Sequence, residues 1–278
     1  MSSPLIDVLD LTVRCGDAAL VDRVSLTVET GERLGIVGET GSGKSLTCRA
    51  LVGGLARLGM RAEGRVVVAG EDVVDCTTRT WNRLRRESIG FVPQSSLSSL
   101  DPVMRIGRQL GETVALHVPG RRDRIRRVRE LVDLVHLAEP DRVLRAYPHQ
   151  LSGGMRQRIM IAMAVAGNPS VLVADEPTTA LDVSVQRKVL DLLDEVCREQ
   201  GMALILVTHD LGVVAELCDK VVVMRDGGVV ESGLTAEVLR APESAYTRRL
   251  LDARLEVPSG SCPVHQFVGT QPDPGEKS

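Results

Sequence analysis

The segment Leu34–Gly38 (LGIVG) is a continuous apolar run that opens directly into Gly38-Glu39-Thr40-Gly41-Ser42-Gly43-Lys44-Ser45. Such a run is what a strand buried on both faces of a parallel sheet requires. The loop fits the pattern G-x-x-x-x-G-K-[ST]. Its glycines let the backbone curl so that successive N–H groups turn inward toward phosphate oxygens. A helical pattern begins near Lys44, and the start of that helix adds the positive end of its dipole. Lys44 brings a full charge for the β- and γ-phosphates, and Ser45 offers a hydroxyl to Mg2+. A strand, a phosphate loop and a helix in this order predict an α/β fold on a mainly parallel sheet.

The rest of the chain reads consistently with that start. Residues 24–28, 65–70 and 89–92 are β-rich, and the first of these suggests an N-terminal antiparallel part. From about residue 95 to 168 helical periodicity takes over, which predicts an inserted α-helical subdomain. Within it, Arg121–Glu130 carries six arginines in ten residues. The pattern predicts a solvated helix face, with Ile125, Val128, Leu131 and Val132 turned the other way. Nucleic-acid contact is not expected, because no aromatic residues are interleaved. After Pro169 the strands return at Val171–Ala174 and Ala203–Val207. Arg225-Asp226-Gly227-Gly228 reads as a hairpin turn between Val221–Met224 and Val229–Val230. The expected division is an α/β core over 1–94 and 169–257, a helical part over 95–168, and a loose Pro/Gly/Ser-rich tail over 258–278.

Composition narrows the function classes. Lys plus Arg is 34 and Asp plus Glu is 37, a net charge of −3, so no global charge calls for nucleic acid or anionic lipid. One Trp, two Tyr and two Phe are too few for a base-stacking surface. No apolar run approaches the roughly 18 residues that span a bilayer. The start MSSPLIDVLD has no basic region followed by an apolar stretch, so no signal peptide is read there. The chain is therefore expected to stay in the cytosol, with any membrane role coming through partners. The six cysteines, Cys15, Cys48, Cys76, Cys197, Cys218 and Cys262, are scattered and read as reduced thiols.

Two further segments carry chemistry. Val171–Ala174 ends in Asp175-Glu176, at the strand end where open α/β sheets place ligands. Asp175 can hold Mg2+, and Glu176 can orient or deprotonate a water; the same acid pair can also cap a helix. Leu151-Ser152-Gly153-Gly154-Met155-Arg156-Gln157 places a capping Ser152 and two glycines at a helix start, where a phosphate can approach. Asp182 reads as the N-cap of an amphipathic helix with Val185, Val189, Leu192, Leu193 and Val196 on one face.

With these motifs in place, the chain resembles the nucleotide-binding subunit of an ATP-binding-cassette (ABC) transporter over roughly residues 5–255. Gly38–Ser45 resembles the Walker A motif, LSGGMRQ at 151–157 the signature motif, and VLVADE at 171–176 Walker B. Gln94 matches the Q-loop glutamine, Ala180-Leu181-Asp182 the D-loop, and His209 the switch histidine. YPHQLSGGMRQRIMIAMA, DEPTTALDVSVQ, THDLGVVAELCD and YTRRLLDA are similar to the peptide/nickel import subfamily. The resemblance implies a P-loop NTPase core and ATP hydrolysis with Mg2+. It implies catalytic roles for Glu176, His209 and Gln94. Nucleotide contacts would come from Gly38, Glu39, Thr40, Gly41, Ser42, Gly43, Lys44, Ser45 and Leu46, and across a dimer from Ser152, Gly153, Gly154 and Asp182. Ser45, Gln94 and Asp175 would hold the metal. The implied partners are a second, paralogous or identical, ATPase subunit, two membrane permeases and, indirectly, an extracytoplasmic solute-binding protein. An exporter cassette, or a soluble cassette ATPase working on ribosomes or DNA, is the alternative. Two departures stand out. Cys15 occupies the position where the family often has an aromatic residue against adenine. The tail carries only Cys262, which argues against an iron–sulfur cluster there.

Overall fold

The computed structural model describes residues 3–95, 99–179 and 181–255. The 258–278 tail, Cys262 and Ala180 lie outside the described residues. Among the described residues ten strands form two sheets. β1 (Ile6–Cys15), β2 (Ala18–Val28), β4 (Arg61–Val68) and β5 (Glu71–Asp72) make a four-stranded antiparallel sheet in the order β2-β1-β4-β5. β3 (Arg33–Val37), β6 (Ile89–Val92), β7 (Val171–Asp175), β8 (Ala203–Thr208), β9 (Lys220–Arg225) and β10 (Gly228–Leu234) make the second, in the order β10-β9-β3-β8-β7-β6. Its five neighbouring strands β9-β3-β8-β7-β6 are parallel, and β10 closes one edge as the antiparallel arm of the Arg225–Gly228 hairpin.

The unbroken apolar strands have a direct explanation. Val171, Val173, Ala203, Ile205 and Val207 enter a core shared with the antiparallel sheet and with α1 (Lys44–Leu51) and α2 (Thr78–Glu87). The alternate residues Leu172, Ala174, Leu204 and Leu206 enter a second core, covered by helices. Side chains alternate along a strand, so a sheet covered on both faces needs apolar residues at every position.

Between β6 and β7 the chain is helical: α3 (Ile106–Ala115), α4 (Arg121–Leu134), α5 (Pro140–Arg145) and α6 (Gly153–Ala164). After β7 come α7 (Val183–Gln200), α8 (Leu211–Leu217), α9 (Thr235–Arg240) and α10 (Ala245–Leu255). On α4, Leu131 and Val132 are buried, whereas Ile125 is 56% exposed and does not join the core-facing stripe. The arginine cluster is only partly a solvated face. Arg124 donates to Val118 O, and Arg127 to the Val165 and Ala166 carbonyls, so these two tie α4 to the neighbouring chain. On α7, Val189, Leu192, Leu193 and Val196 are buried. Asp182 occupies the N-cap position there with extended backbone, yet its side chain makes no capping hydrogen bond. Five of the cysteines, Cys15, Cys48, Cys76, Cys197 and Cys218, are free thiols. Among the described residues no helix is long and apolar enough to cross a membrane.

β3 and α8 approach closely at Gly35, where an added Cβ would lie 2.6 Å from Val214 Cγ1. Gly35→Ala is therefore expected to destabilise the chain by about 1–3 kcal/mol through overpacking. In urea denaturation the double variant Gly35→Ala/Val214→Ala should cost less than the two single changes added together. Strict additivity would refute this contact as the cause.

Candidate nucleotide-hydrolysis site

Strand register assembles the site. Val37 pairs with Thr208, and Val207 with Asp175, so β3, β8 and β7 end level with one another. The phosphate loop after β3, His209 after β8 and Glu176 after β7 therefore emerge side by side at the C-terminal edge of the sheet. This is the edge where parallel α/β sheets bind ligands.

The loop's shape rests on backbone that side chains would obstruct. Gly38 (φ 152°), Gly41 (φ 87°) and Gly43 (φ 98°) all have positive φ. A Cβ on Gly38 would lie 2.1 Å from Met224 O, inside van der Waals contact. The loop is also tied to the β9–β10 turn, because Gly227 N donates to Ser42 O at 3.2 Å. Gly43 is the N-cap of α1, and the first-turn amides of that helix point out of its end without intrahelical partners.

Lys44 is 4% exposed and curls back over the loop. Its Nζ donates to Gly38 O at 2.7 Å and to Glu39 O at 2.8 Å. Burial pulls its ammonium below the usual lysine value, and the carboxylates of Glu176 and Asp175 offset that only in part. A desolvated cation among carbonyls has much to gain from a polyphosphate anion.

Asp175 is 2% exposed, and its Oδ1 accepts from Ser45 Oγ at 2.8 Å. Burial raises its carboxyl above the usual aspartate value, against the Ser45 hydrogen bond and the charges of Arg49 and Lys44. A hydroxyl and a buried carboxylate this close form an oxygen pair of the kind a hard divalent cation takes. Among the described residues no cluster of three or more His, Cys, Asp or Glu could enclose a metal alone. A cation at this pair would thus complete its shell with phosphate oxygens and water.

Glu176 follows in left-handed backbone (φ 44°), uncommon for a non-glycine residue and recurrent at functional sites. One of its carboxylate oxygens is heavily engaged. Oε2 accepts from Gln94 Nε2 at 3.0 Å and from Thr179 Oγ1 at 2.8 Å, and His209 Nδ1 lies 4.0 Å away. Glu176, Gln94 and His209 thus come together, whereas Gln94 is tied to Glu176 and not to the Ser45–Asp175 pair. Thr179 was not anticipated from sequence; its spacing of three residues from Glu176, within reach of a turn, was the available signal.

The signature segment is organised differently. Ser152 caps α6 by accepting Met155 N at 3.3 Å. A Cβ on Gly153 would lie 2.8 Å from Leu181 Cδ2, and one on Gly154 2.6 Å from Val185 Cγ1. Close packing against the chain after β7 is thus a sufficient reason for both glycines. Among the described residues no hydrogen bond or ion pair joins Ser152, Gly153 or Gly154 to the phosphate loop.

Residues 21–179 match the ABC transporter domain family. The chain belongs to the ABC transporter ATP-binding family. This cassette is 42% identical to the oligopeptide transport ATP-binding protein OppD of Salmonella typhimurium, over 97% of this chain and 82% of the relative. It is 40% identical to the dipeptide transport ATP-binding protein DppD of Lactococcus lactis, over 93% of this chain and 74% of the relative. Among solved structures it resembles the ATP-binding cassette MJ0796 in a dimeric post-hydrolysis state bound to ADP and Pi. The TM-score is 0.72 and the identity 28%, covering 83% of this chain and 98% of that one. The fold is thus the P-loop NTPase cassette that the phosphate loop implied, and the cassette is an ATPase by family.

The raised carboxyl of Asp175 gives a test with a definite sign. The folded cassette holds the Asp175 proton to higher pH than the unfolded chain, so stability falls as pH rises through that interval. Asp175→Asn removes the ionisation and keeps an oxygen for the Ser45 hydroxyl. Calorimetry without nucleotide should show a higher Tm for the variant at pH about 7, the gain fading toward pH about 4 where the free carboxyl protonates. A gain independent of pH would assign it to something other than the buried charge.

Proposed function

We propose that this chain is the ATP-hydrolysing subunit of a peptide importer, working at the cytoplasmic face of the membrane. The observation that carries the chemistry is the Glu176 carboxylate, held through Oε2 by Gln94 and Thr179. That grip leaves Oε1 to accept a proton from the attacking water. His209, 67% exposed and beside Oε2, reaches the γ-phosphate and the same water. Lys44 exchanges the Gly38 and Glu39 carbonyls for β- and γ-phosphate oxygens, and the amides of the Gly38–Ser45 loop, that of Glu39 apart, and of Leu46 cradle the chain of phosphates. Ser45 and Asp175 fit Mg2+, which supplies charge neutralisation between the phosphates when bound.

Ser152, Gly153 and Gly154, at the start of a second helix, serve the nucleotide of a second cassette, as the resemblance to the family implies, with Asp182 at the same contact. Closure then depends on a γ-phosphate trapped between two positive helix ends, and hydrolysis releases it, a ligand-driven population shift. Two permeases and a second, paralogous cassette complete the assembly, and a solute-binding protein delivers cargo to it. The names of the similar proteins, which specify oligopeptide and dipeptide transport, support peptides over nickel as cargo and transport over the soluble alternative, and similar Brucella proteins named for peptide import support import over export. The helical segment from residue 95 to 168 is the part that relays closure to the permeases, with Gln94 at its hinge.

Glu176→Gln is expected to retain ATP binding and to lower turnover by a factor on the order of 10² or more. A steady-state phosphate-release assay beside an equilibrium binding assay separates the two effects, and near-wild-type turnover would remove Glu176 from the chemistry. Lys44→Ala should weaken ATP binding itself. Purification of the tagged chain from native membranes in mild detergent should bring down two permeases and a second cassette; recovery with ribosomal or DNA-processing proteins only would reject the transport reading.

A further inference from the structure

Tyr246 stands at the start of α10, within the YTRRLLDA segment, and the hydrolysis chemistry gives it no task. Its hydroxyl oxygen accepts the Glu39 N–H at 3.0 Å, across 207 positions of sequence. Glu39 N and Gly38 O belong to one peptide unit, and Gly38 O is the atom that accepts from Lys44 Nζ at 2.7 Å. The peptide at the mouth of the phosphate loop is thus gripped at both ends, by Lys44 on its carbonyl and by Tyr246 on its N–H. Glycine supplies little rotational preference of its own, so these two hydrogen bonds decide how the Gly38–Glu39 peptide is turned. The Glu39 N–H is directed at Tyr246, which distinguishes it from the amides available to a phosphate.

The Tyr246 hydroxyl is itself firmly placed. The residue is 5% exposed. Its N–H donates to Ser244 Oγ at 3.1 Å. The Glu243 and Ser244 amides donate to the two carboxylate oxygens of Glu231 on β10, at 2.8 and 3.1 Å. Burial would raise the Glu231 carboxyl, but the neighbouring Thr247 hydroxyl and these two amides outweigh it and hold the group below the usual glutamate value. The guanidinium groups of Arg225 and Arg249 lie over the ring, at 5.2 and 6.0 Å from its centroid. Arg225 adjoins Met224, whose carbonyl fills the space beside Gly38. The β9–β10 hairpin thereby sets both the wall behind the loop and the anchor in front of it.

We propose that Tyr246 is a positioning residue for the phosphate loop. When Lys44 leaves the Gly38 carbonyl for phosphate oxygens, one end of the peptide is released. The Tyr246 hydroxyl holds the other end, so the loop receives a polyphosphate in the shape it already has. This inference rests on the nucleotide-binding reading of the loop, and it couples the C-terminal helix to nucleotide affinity with no part in the chemical step.

Tyr246→Phe deletes one oxygen and keeps the buried ring and both cation–π contacts, so the full-length chain is expected to fold with its nucleotide-free Tm nearly unchanged. Hydrogen exchange should show the Glu39 amide exchanging severalfold faster, while β3 amides keep their protection. The dissociation constants for ATP and for ADP should both rise, by about three- to tenfold, the worth of one neutral hydrogen bond. Turnover at saturating ATP should stay within about twofold of wild type, giving a KM effect without a kcat effect. Unchanged nucleotide affinity would overturn the proposal, as would unchanged exchange at Glu39. A comparable loss of kcat would overturn it too, by placing Tyr246 in the chemical step. Failure of the wild-type chain to bind ATP would instead reject the reading of the loop, and the exchange measurement would still decide whether the hydroxyl holds the Glu39 amide.

Discussion

The pairing register of β3, β8 and β7 is the constraint on which the rest of the molecule depends. Three parallel strands end at one level because Val37 lies beside Thr208, and Val207 beside Asp175. That alignment lets Ser45 Oγ reach Asp175 Oδ1 across 130 positions of sequence. A slip of one residue would turn Asp175 to the opposite face and carry its apolar neighbours out of their core. The register is enforced from both sides, since alternate residues of β7 and β8 enter two different hydrophobic cores. Packing energy that has no direct role in hydrolysis therefore aligns the groups that do.

The site is built from groups that destabilise the folded chain until a ligand meets them. Asp175 is a buried carboxylate, and Lys44 is a buried ammonium satisfied by carbonyls of its own loop. Glu176 holds backbone that a non-glycine residue rarely adopts. Each of these has a local cost, on the order of 1–3 kcal/mol for the backbone alone. Asp175 and Glu176 lie at the end of β7, whose other residues are all apolar and buried, and Lys44 opens the helix that follows β3, so the sheet carries the strain. The Tyr246 contact follows the same arrangement, with a buried ring on a helix anchored to β10 presenting one hydroxyl to a flexible glycine peptide.

How much of this was legible in the sequence depends on the range of the interaction. The phosphate loop, the acid pair at the end of β7 and the capping Ser152 are local patterns, and each forms the element its residues imply. Local patterns were less reliable where tertiary contacts compete. Ile125 fits the apolar period of α4 and yet faces solvent, because the helix buries only the stripe through Leu131 and Val132. Asp182 has the right type and position for a cap but leaves its side chain out of the bond. Arg124 and Arg127, read as part of a solvated charge run, bind backbone carbonyls of neighbouring segments. Gly153 and Gly154 read as room for a phosphate, and the same absence of side chains also admits Leu181 and Val185.

By itself the sequence determined the chemistry and its order: a strand, a phosphate loop and a helix, then a signature segment, an acid pair and a histidine after a buried strand. These follow from backbone geometry and side-chain type over stretches of a few residues, where spacing alone dictates direction. Only the tertiary structure decided which groups meet. Gln94, Thr179 and His209 gather around a single oxygen of Glu176, and Tyr246 reaches Glu39 from the far end of the chain. Those meetings depend on strand order and on the packing of two cores against one sheet. No local pattern encodes such long-range pairings, because their free energy comes from burying surface contributed by the whole chain.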